Sequence, residues 1–439
     1  MILDIVAPVF YLIIITAIIY RWRFFRLLEI PRNWMLGAFW LKVAAGFVFW
    51  LVYTYYYSDP TESDALRYFE DALTIKSQWY LNRDVFWSFM LGRDMDHPEY
   101  VKVYDQLIAW TSGYRYGLSN DCSTIIRINV ILSFISFKSF HVHAIIMSFM
   151  SLIGFTAMFK AFYGLLKGKE KTLFIVCFLL PSVVFWSSSV LKEAPLFLAF
   201  GLLLSSLVKL WTNPKSYSQY LVFGISFILL VYVKVYVVIS LIPAMLALLL
   251  VKSTGERWVV LKFVIVHIIC FVVAMNAHHF FRGGDFLYVL HKKQIDFYNV
   301  AILRDAGSVV EIPAVTNVSA FFAHYPQAFF LTYFRPHVFE ANSVASMVFA
   351  IEDLFYLLIS IAAILFFRKP ERRHWPIILA IFSYLIVLAS ILGNTVPILG
   401  AMVRYKVVGL PLLMIFCFAV INFEKLRRIF IPKLNDTKC

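Results

Sequence analysis

Apolar residues run along this chain in long blocks separated by short polar punctuation. Blocks long enough to cross a bilayer as a helix, roughly 17–25 residues each, fall at 4–20, 36–57, 140–164, 172–190, 194–211, 218–234, 236–251, 257–276, 344–367, 375–393 and 403–423. The pattern predicts an all-α polytopic transmembrane bundle of about eleven spans over 1–439, a single membrane domain. The pair covering 218–251 has a second reading as one kinked helix plus a short one, because Lys234 and Tyr236 interrupt it. Two polar stretches are long. A first loop at 58–139 and a second at 277–343 have mixed charge and many aromatic residues, which predicts short helices lying at the membrane surface.

The remaining loops are short and basic. They hold Arg21, Arg23, Arg26 and Arg32; Lys167, Lys169 and Lys171; Lys209 and Lys215; Lys252 and Arg257; Arg368, Lys369, Arg372 and Arg373; and Lys425, Arg427, Arg428 and Lys433. Lys and Arg close to helix ends set orientation. The alternation therefore predicts a membrane protein with its N-terminus outside, its C-terminus cytoplasmic and both long loops outside. Ile5–Tyr20 lacks a basic region before it and a small-residue cleavage site after it, and reads as a retained anchor.

Composition agrees. Of 439 residues, 61% are hydrophobic and 15% charged, and the mean hydropathy is +0.78, far from the roughly 25% charged residues of soluble domains. The net charge of +14 would suggest nucleic acid in a soluble chain; here it belongs to orienting loops facing anionic lipid, and no nucleic-acid partner is expected. Cys122, Cys177, Cys270, Cys417 and Cys439 show neither CxxC nor Cys/His spacing, so neither a disulfide framework nor a zinc site is indicated. His141/His143 and His278/His279 lack helical metal spacing and read as interfacial.

Charge inside or beside an apolar helix is costly and needs a partner or a task. Such charges are Lys192 and Glu193 in the turn after Trp186, Lys234, Arg335 and Glu340 with His337 between them, Glu352 and Asp353, and Arg404-Tyr405-Lys406 opening the last span. For Lys234 and Lys406 the alternative is snorkelling to headgroups; for Lys192–Glu193 it is a turn that satisfies itself. With these residues at one face and the opposite halves of the spans nearly pure hydrocarbon, the lining suits an anionic head with an apolar tail. In the first loop Asp64, within Ser63–Ala72, would be a general base for an acceptor hydroxyl. No metal ligand set is predicted, although Asp59, Glu62, Asp64, Glu70 and Asp71 could gather oxygen ligands for a divalent cation near Asp64. The plainer reading of that cluster is a loop start, with Glu62 or Asp64 capping a helix over Ala65–Ile75.

Ser63-Asp64-x-x-x-Tyr68-x-x-x-Ala72 and Val403-Arg404-Tyr405 followed by Leu410-Pro411-Leu412 resemble motifs of the GT-C-type polytopic glycosyltransferases, such as the protein O-mannosyltransferases and lipid A aminoarabinose transferases. The chain departs from that pattern at Ala65, where a second acid is usual, and in its extra N-terminal span. The resemblance implies a GT-C-like arrangement transferring sugar from a polyprenyl-phosphate donor to a surface glycan, lipid or protein acceptor. It implies Asp64 as base and Arg404 near the lipid phosphate; from their own positions Lys192 and Arg335 are expected to hold the phosphate with it, Tyr68 and His337 to position sugar or acceptor, and Glu193, Lys234, Glu340 and Tyr405 complete the expected binding set. The Lys192-Glu193 and Arg335-Pro336 segments also resemble O-antigen polymerases and related surface-polysaccharide proteins. A polymerase or ligase using a diphosphate-linked glycan is therefore the alternative enzyme. A lipid-linked oligosaccharide flippase or other transporter, and a membrane scaffold, are the readings from other classes; transport predicts polar residues at the bilayer midplane and helices broken there.

Overall fold

The computed structural model describes residues 2–56, 63–110, 121–280, 284–303 and 305–430; Asp59, Glu62 and Lys433 lie outside them. It divides into two compact units, Met1–Val235 and Tyr236–Cys439. Helices account for the regular structure. Among the described residues the only β pairings are two isolated bridges in the second unit, Val309 with Ile398 and Phe367 with Ile421.

The first unit contains α1 (Ile2–Arg21), α2 (Arg32–Leu51), α3 (Asp64–Leu81), α4 (Arg83–Leu91), α5 (Pro98–Tyr104), α6 (Asp121–Ser133), α7 (Phe140–Phe162), α8 (Glu170–Phe178), α9 (Pro181–Trp186), α10 (Glu193–Thr212) and α11 (Tyr217–Val233). The loop helices start where side chains can cap them. Ser63, not Glu62 or Asp64, caps α3 by accepting from the Leu66 N–H at 3.4 Å. Asn82 ends α3 and caps α4, accepting from Asp84 and Val85 N–H groups at 3.2 and 3.3 Å. Gly92, left-handed at φ 68°, ends α4.

The centre of this unit is α7 against α10. A Cβ on Gly201 would sit 1.9 Å from the Gly154 carbonyl oxygen, so the two helices touch backbone to backbone. Small residues at a crossing allow such an approach in membranes, where dispersion and weak polar contacts hold helices together.

The apolar run at 172–190 is not one continuous helix. It stops at Phe178, restarts at Pro181 and stops again after Trp186; residues 187–192 are non-helical, and Ser187, Ser188 and Ser189 are wholly buried. A helix that ends inside the bundle leaves carbonyls without partners, and neighbouring helices supply the donors. From α2, Lys42 gives its ammonium to the Ser187 carbonyl at 3.2 Å and hydroxyl at 2.6 Å. From α7, Ser151 reaches the Ser187 carbonyl at 2.8 Å and Ser148 the Ser188 carbonyl at 3.0 Å. Lys42 thus acts as a C-terminal cap donated by another helix. This lysine and its serines are buried polar groups in the core of the unit.

The second unit contains α12 (Val235–Thr254), α13 (Val259–Met275), α14 (Phe286–Leu303), α15 (Val318–Phe334), α16 (Val344–Leu365), α17 (Trp375–Thr395), α18 (Leu399–Lys406), α19 (Leu410–Val420) and α20 (Phe423–Phe430). α15 lies close on α17, where a Cβ on Gly393 would fall 2.2 Å from the Ala328 carbonyl oxygen. The final apolar run bends by 62° between α18 and α19, so Arg404 closes a short helix instead of opening the last span.

Among the described residues six helices are long and apolar enough to cross a membrane, seven if the bent α18–α19 pair is one span. The expected count was about eleven. The difference comes from the broken 172–190 run and from Ile5–Arg21, Tyr217–Val233 and Val259–Met275, which are apolar but shorter. Apolar side chains also face outward in rows, as with Val260, Val264, Ile268 and Val272 on α13 and Val348, Ile351, Phe355 and Leu358 on α16. Exposed apolar surface on this scale needs a lipid solvent. The chain is a helical integral membrane protein.

Candidate functional site

In the first unit, charged groups from three separate parts of the chain converge. Lys192, at the start of α10, and Lys234, where α11 ends in extended backbone, are both nearly buried. Both point at Asp121, the first residue of α6: its Oδ2 lies 2.8 Å from Lys192 Nζ and 3.9 Å from Lys234 Nζ. The lysine side chains are 7% and 5% exposed and Asp121 43%, so the carboxylate is the accessible member of the trio. Lys192 also donates to Cys122 Sγ at 3.1 Å and stands over the Tyr68 ring, 5.4 Å from its centroid. The Tyr68 hydroxyl is 3.8 Å from the same sulfur.

The electrostatics follow from the geometry. Burial alone would raise the Asp121 carboxyl, but Lys192 and Lys234 outweigh it and hold the group at about 2. Burial alone would lower Lys192; Tyr68, Asp121 and Cys122 together raise it well above the usual lysine value. Both partners are ionised at neutral pH, and Lys234 does not reduce to a snorkelling residue.

Asp64 is the first residue of α3 and is half-buried. Its spacing of four from Tyr68 puts the two one turn apart on one helix face, so Asp64 shares the face whose Tyr68 carries Lys192 and Cys122. Glu193, next to Lys192, is buried at the first position of α10.

Asp71 has a different task from cation binding. Its carboxylate accepts the Ile108 N–H at 2.9 Å and the Ala109 and Trp110 N–H groups at 2.8 Å each, pinning the chain after α5. Burial raises its pKa against the pull of those donors and of Arg67. With both oxygens committed and Glu70 exposed to solvent, the expected cation cluster loses Asp71. Among the described residues no group of three or more His, Cys, Asp and Glu could hold a metal ion. Beside Asp71, Arg127 of α6 donates to the Phe89 carbonyl at 2.9 Å and lies 4.8 Å over the Trp110 ring.

The second unit carries the other expected residues. Arg335 forms a two-pronged pair with Glu340, through Nε at 3.1 Å to Oε2 and through NH2 to Oε1. Glu340 Oε2 also accepts the His337 N–H at 2.9 Å and lies 3.4 Å from His337 Nε2. The turn satisfies much of its own charge. Lys406, for which snorkelling is the alternative, is 1% exposed; it binds Asp353 Oδ2 at 2.5 Å and the Arg335 carbonyl at 2.9 Å. Glu352 accepts from the Tyr356 hydroxyl one turn along α16. Arg404 is half-buried on α18, and the Tyr405 carbonyl accepts from the Tyr236 hydroxyl at 3.4 Å. His143, expected at an interface, is fully buried between Asn129 Oδ1 and Ser136 Oγ, both at 2.7 Å.

Sequence reasoning found Lys192 and Lys234 by the cost of charge in apolar surroundings but missed Asp121, which reads locally as an ordinary first-turn acid of α6. It also missed Lys42, visible as a lysine inside an apolar run. No protein-family model, characterised protein or solved structure matches the chain.

Proposed function

We propose that the protein is a membrane glycosyltransferase that takes sugar from a polyprenyl-phosphate donor. The reading rests on one observation: two nearly buried ammonium groups converge on Asp121, and one of them, Lys192, stands over Tyr68 on the helix face that also bears Asp64. In this reading the lysines hold the donor phosphate while its prenyl tail lies among apolar helices. Asp64 accepts the proton of the acceptor hydroxyl as that oxygen attacks the anomeric carbon. The bond from that carbon to the phosphate oxygen breaks, and the leaving phosphate keeps the electron pair under the ammonium charges. The configuration inverts. The GT-C-like resemblance of Ser63–Ala72 and the alternation of basic loops support placing this chemistry on the outer face of an inner membrane, with eleven segments if the three shorter helices, the bent pair and the broken 172–190 run also cross.

The test is transfer by the full chain in lipid nanodiscs from a prenyl-phosphate sugar. Asp64→Asn is expected to lower turnover at least about a hundredfold with donor binding retained, and Lys192→Gln to weaken donor binding. Full turnover by Asp64→Asn removes it as base. Transport is a second reading with its own support: the buried break at residues 187–192 and the serines and Lys42 around it are what a binding segment broken within the bilayer would contain. Efflux or uptake of a labelled lipid-linked sugar without transfer would favour it.

A further inference from the structure

In the second unit, α16 and α19 end side by side. Phe367 and Ile421 form an isolated antiparallel bridge, the Arg368 N–H donates to the Val420 carbonyl at 2.7 Å, and the Asn422 N–H donates to the Phe366 carbonyl at 2.8 Å. These bonds run backbone to backbone, so they fix the two segments against each other whatever their side chains do. Both segments turn basic directly beyond the pairing. Arg368, Lys369, Arg372 and Arg373 follow α16, Lys425 lies in the first turn of α20, and all five are exposed. Two exposed carboxylates accompany them, Glu371 and Glu424. Arg373 takes Glu371 at 2.8 Å. Among the described residues Arg368, Lys369, Arg372 and Lys425 have no acidic partner within ion-pair distance.

Apolar surface adjoins this charge: Ile364, Leu365 and Phe367 on the α16 side and Phe423 on the α20 side are exposed. Cations without acidic partners, bordered by apolar side chains at the end of a membrane helix, complement a phosphate headgroup with acyl chains beneath it. A free phosphate would use the cations and leave the apolar border idle. Other basic loops of the chain also lie near helix ends. This one differs in joining two distant segments by backbone bonds, so gathering its cations is part of folding and not a cost that the ligand must offset. We propose that this seam seats one anionic phospholipid, its phosphate held by Arg368, Lys369 and Lys425 and its acyl chains lying along Ile364, Leu365 and Phe367. The seat is separate from the Lys192–Asp121–Lys234 centre and does not depend on the transferase reading.

The experiment is native mass spectrometry of the full chain released from phosphatidylcholine nanodiscs doped with graded phosphatidylglycerol, counting the lipids that stay bound. The wild type is expected to retain one phosphatidylglycerol per chain, saturably, in preference to phosphatidylcholine. Each cation near an anionic headgroup strengthens binding about fivefold. The exposed-site variant Arg368→Gln/Lys369→Gln/Lys425→Gln should therefore weaken retention about a hundredfold. Asn422→Pro removes an N–H that closes the seam and leaves every charge in place; it should weaken retention too. Lys167→Gln/Lys169→Gln/Lys171→Gln takes the same charge from a basic loop of the first unit and should leave the retained lipid unchanged. Equal retention of the two lipids, or retention that survives loss of Arg368, Lys369 and Lys425, would overturn the proposal. Equal losses in the two triple variants would reduce the seat to diffuse surface charge, and an unaffected Asn422→Pro would remove the seam from it. Displacement of the lipid by excess inorganic phosphate would assign the cations to a free anion and overturn the lipid seat.

Discussion

Lys406 and Asp353 form the most completely buried ion pair among the described residues, at 1% and 2% exposure and 2.5 Å apart. Replacing Lys406 by Met strands the Asp353 carboxylate beside Glu352 and removes the donor to the Arg335 carbonyl. Breaking a buried pair on one side costs about 3–5 kcal/mol, and the lost bond to the carbonyl adds about 1 kcal/mol. Asp353→Asn keeps an acceptor oxygen but leaves an ammonium without its counterion, so about 3 kcal/mol is expected. The double variant Lys406→Met/Asp353→Leu removes both desolvation penalties and should return to within about 2 kcal/mol of the wild type. Unfolding can be followed by SDS titration in mixed micelles, scoring labelling of Cys417, which is buried in the same unit, with buried Cys177 reporting the other unit. Single variants costing under about 1 kcal/mol, or a double variant costing the sum of the singles, would show that the pair does not govern the packing of this unit.

Two further outcomes are expected. Gly201→Ala places a methyl 1.9 Å from the Gly154 carbonyl oxygen and should cost about 1–3 kcal/mol through forced separation of α7 from α10, whereas Gly224→Ala, with open space around it, should gain about 0.5–1 kcal/mol; equal effects at both sites would contradict the backbone contact. Asp121, held at about 2 against a usual 3.8, contributes stability that is fully present above pH 3.8 and is lost as pH falls through 2. The stability difference between wild type and Asp121→Asn should accordingly be flat from neutral pH to about 4 and shrink below it; a difference that grows on acidification would contradict the pairing.

Much of the helical architecture is legible in the chain because burial in lipid demands apolar runs of a given length, and those runs are plain in the sequence. The breaks are less so. Pro181 announces one, but Ser187–Ser189 end a helix only because Lys42, Ser148 and Ser151 arrive from elsewhere to satisfy the freed carbonyls. The site divides along the same line. Lys192 and Lys234 stand out because charge near hydrocarbon needs a reason, whereas their common partner sits next to Cys122, 70 residues before Lys192, where an acid at a helix start is unremarkable. Asp71 is similar: one of several acids in a row by sequence, it is distinguished only by three N–H groups that the fold turns toward it. Pairings of this kind belong to tertiary structure, and local pattern does not encode them.

The cap that Lys42 provides has a consequence for how the protein is made. Its partner Ser187 is 145 residues further along the chain, so at about 5–20 residues per second the ribosome needs roughly 7–30 s to deliver it. During that interval α2 must enter the membrane with a lysine whose cost near mid-bilayer is about 2.5–3.5 kcal/mol and whose acceptors do not yet exist. The separation predicts a waiting stage in biogenesis, in which α2 lingers at the insertion machinery or tilts the Lys42 side chain toward a headgroup until α9 emerges. Site-specific cross-linking of α2 in stalled chains shorter than 187 residues would show it, and a chain with α2 already released from that machinery and fixed in its final packing would contradict it. The buried contact is made late, and it commits α2 to its final position only when nearly half of the chain has been translated.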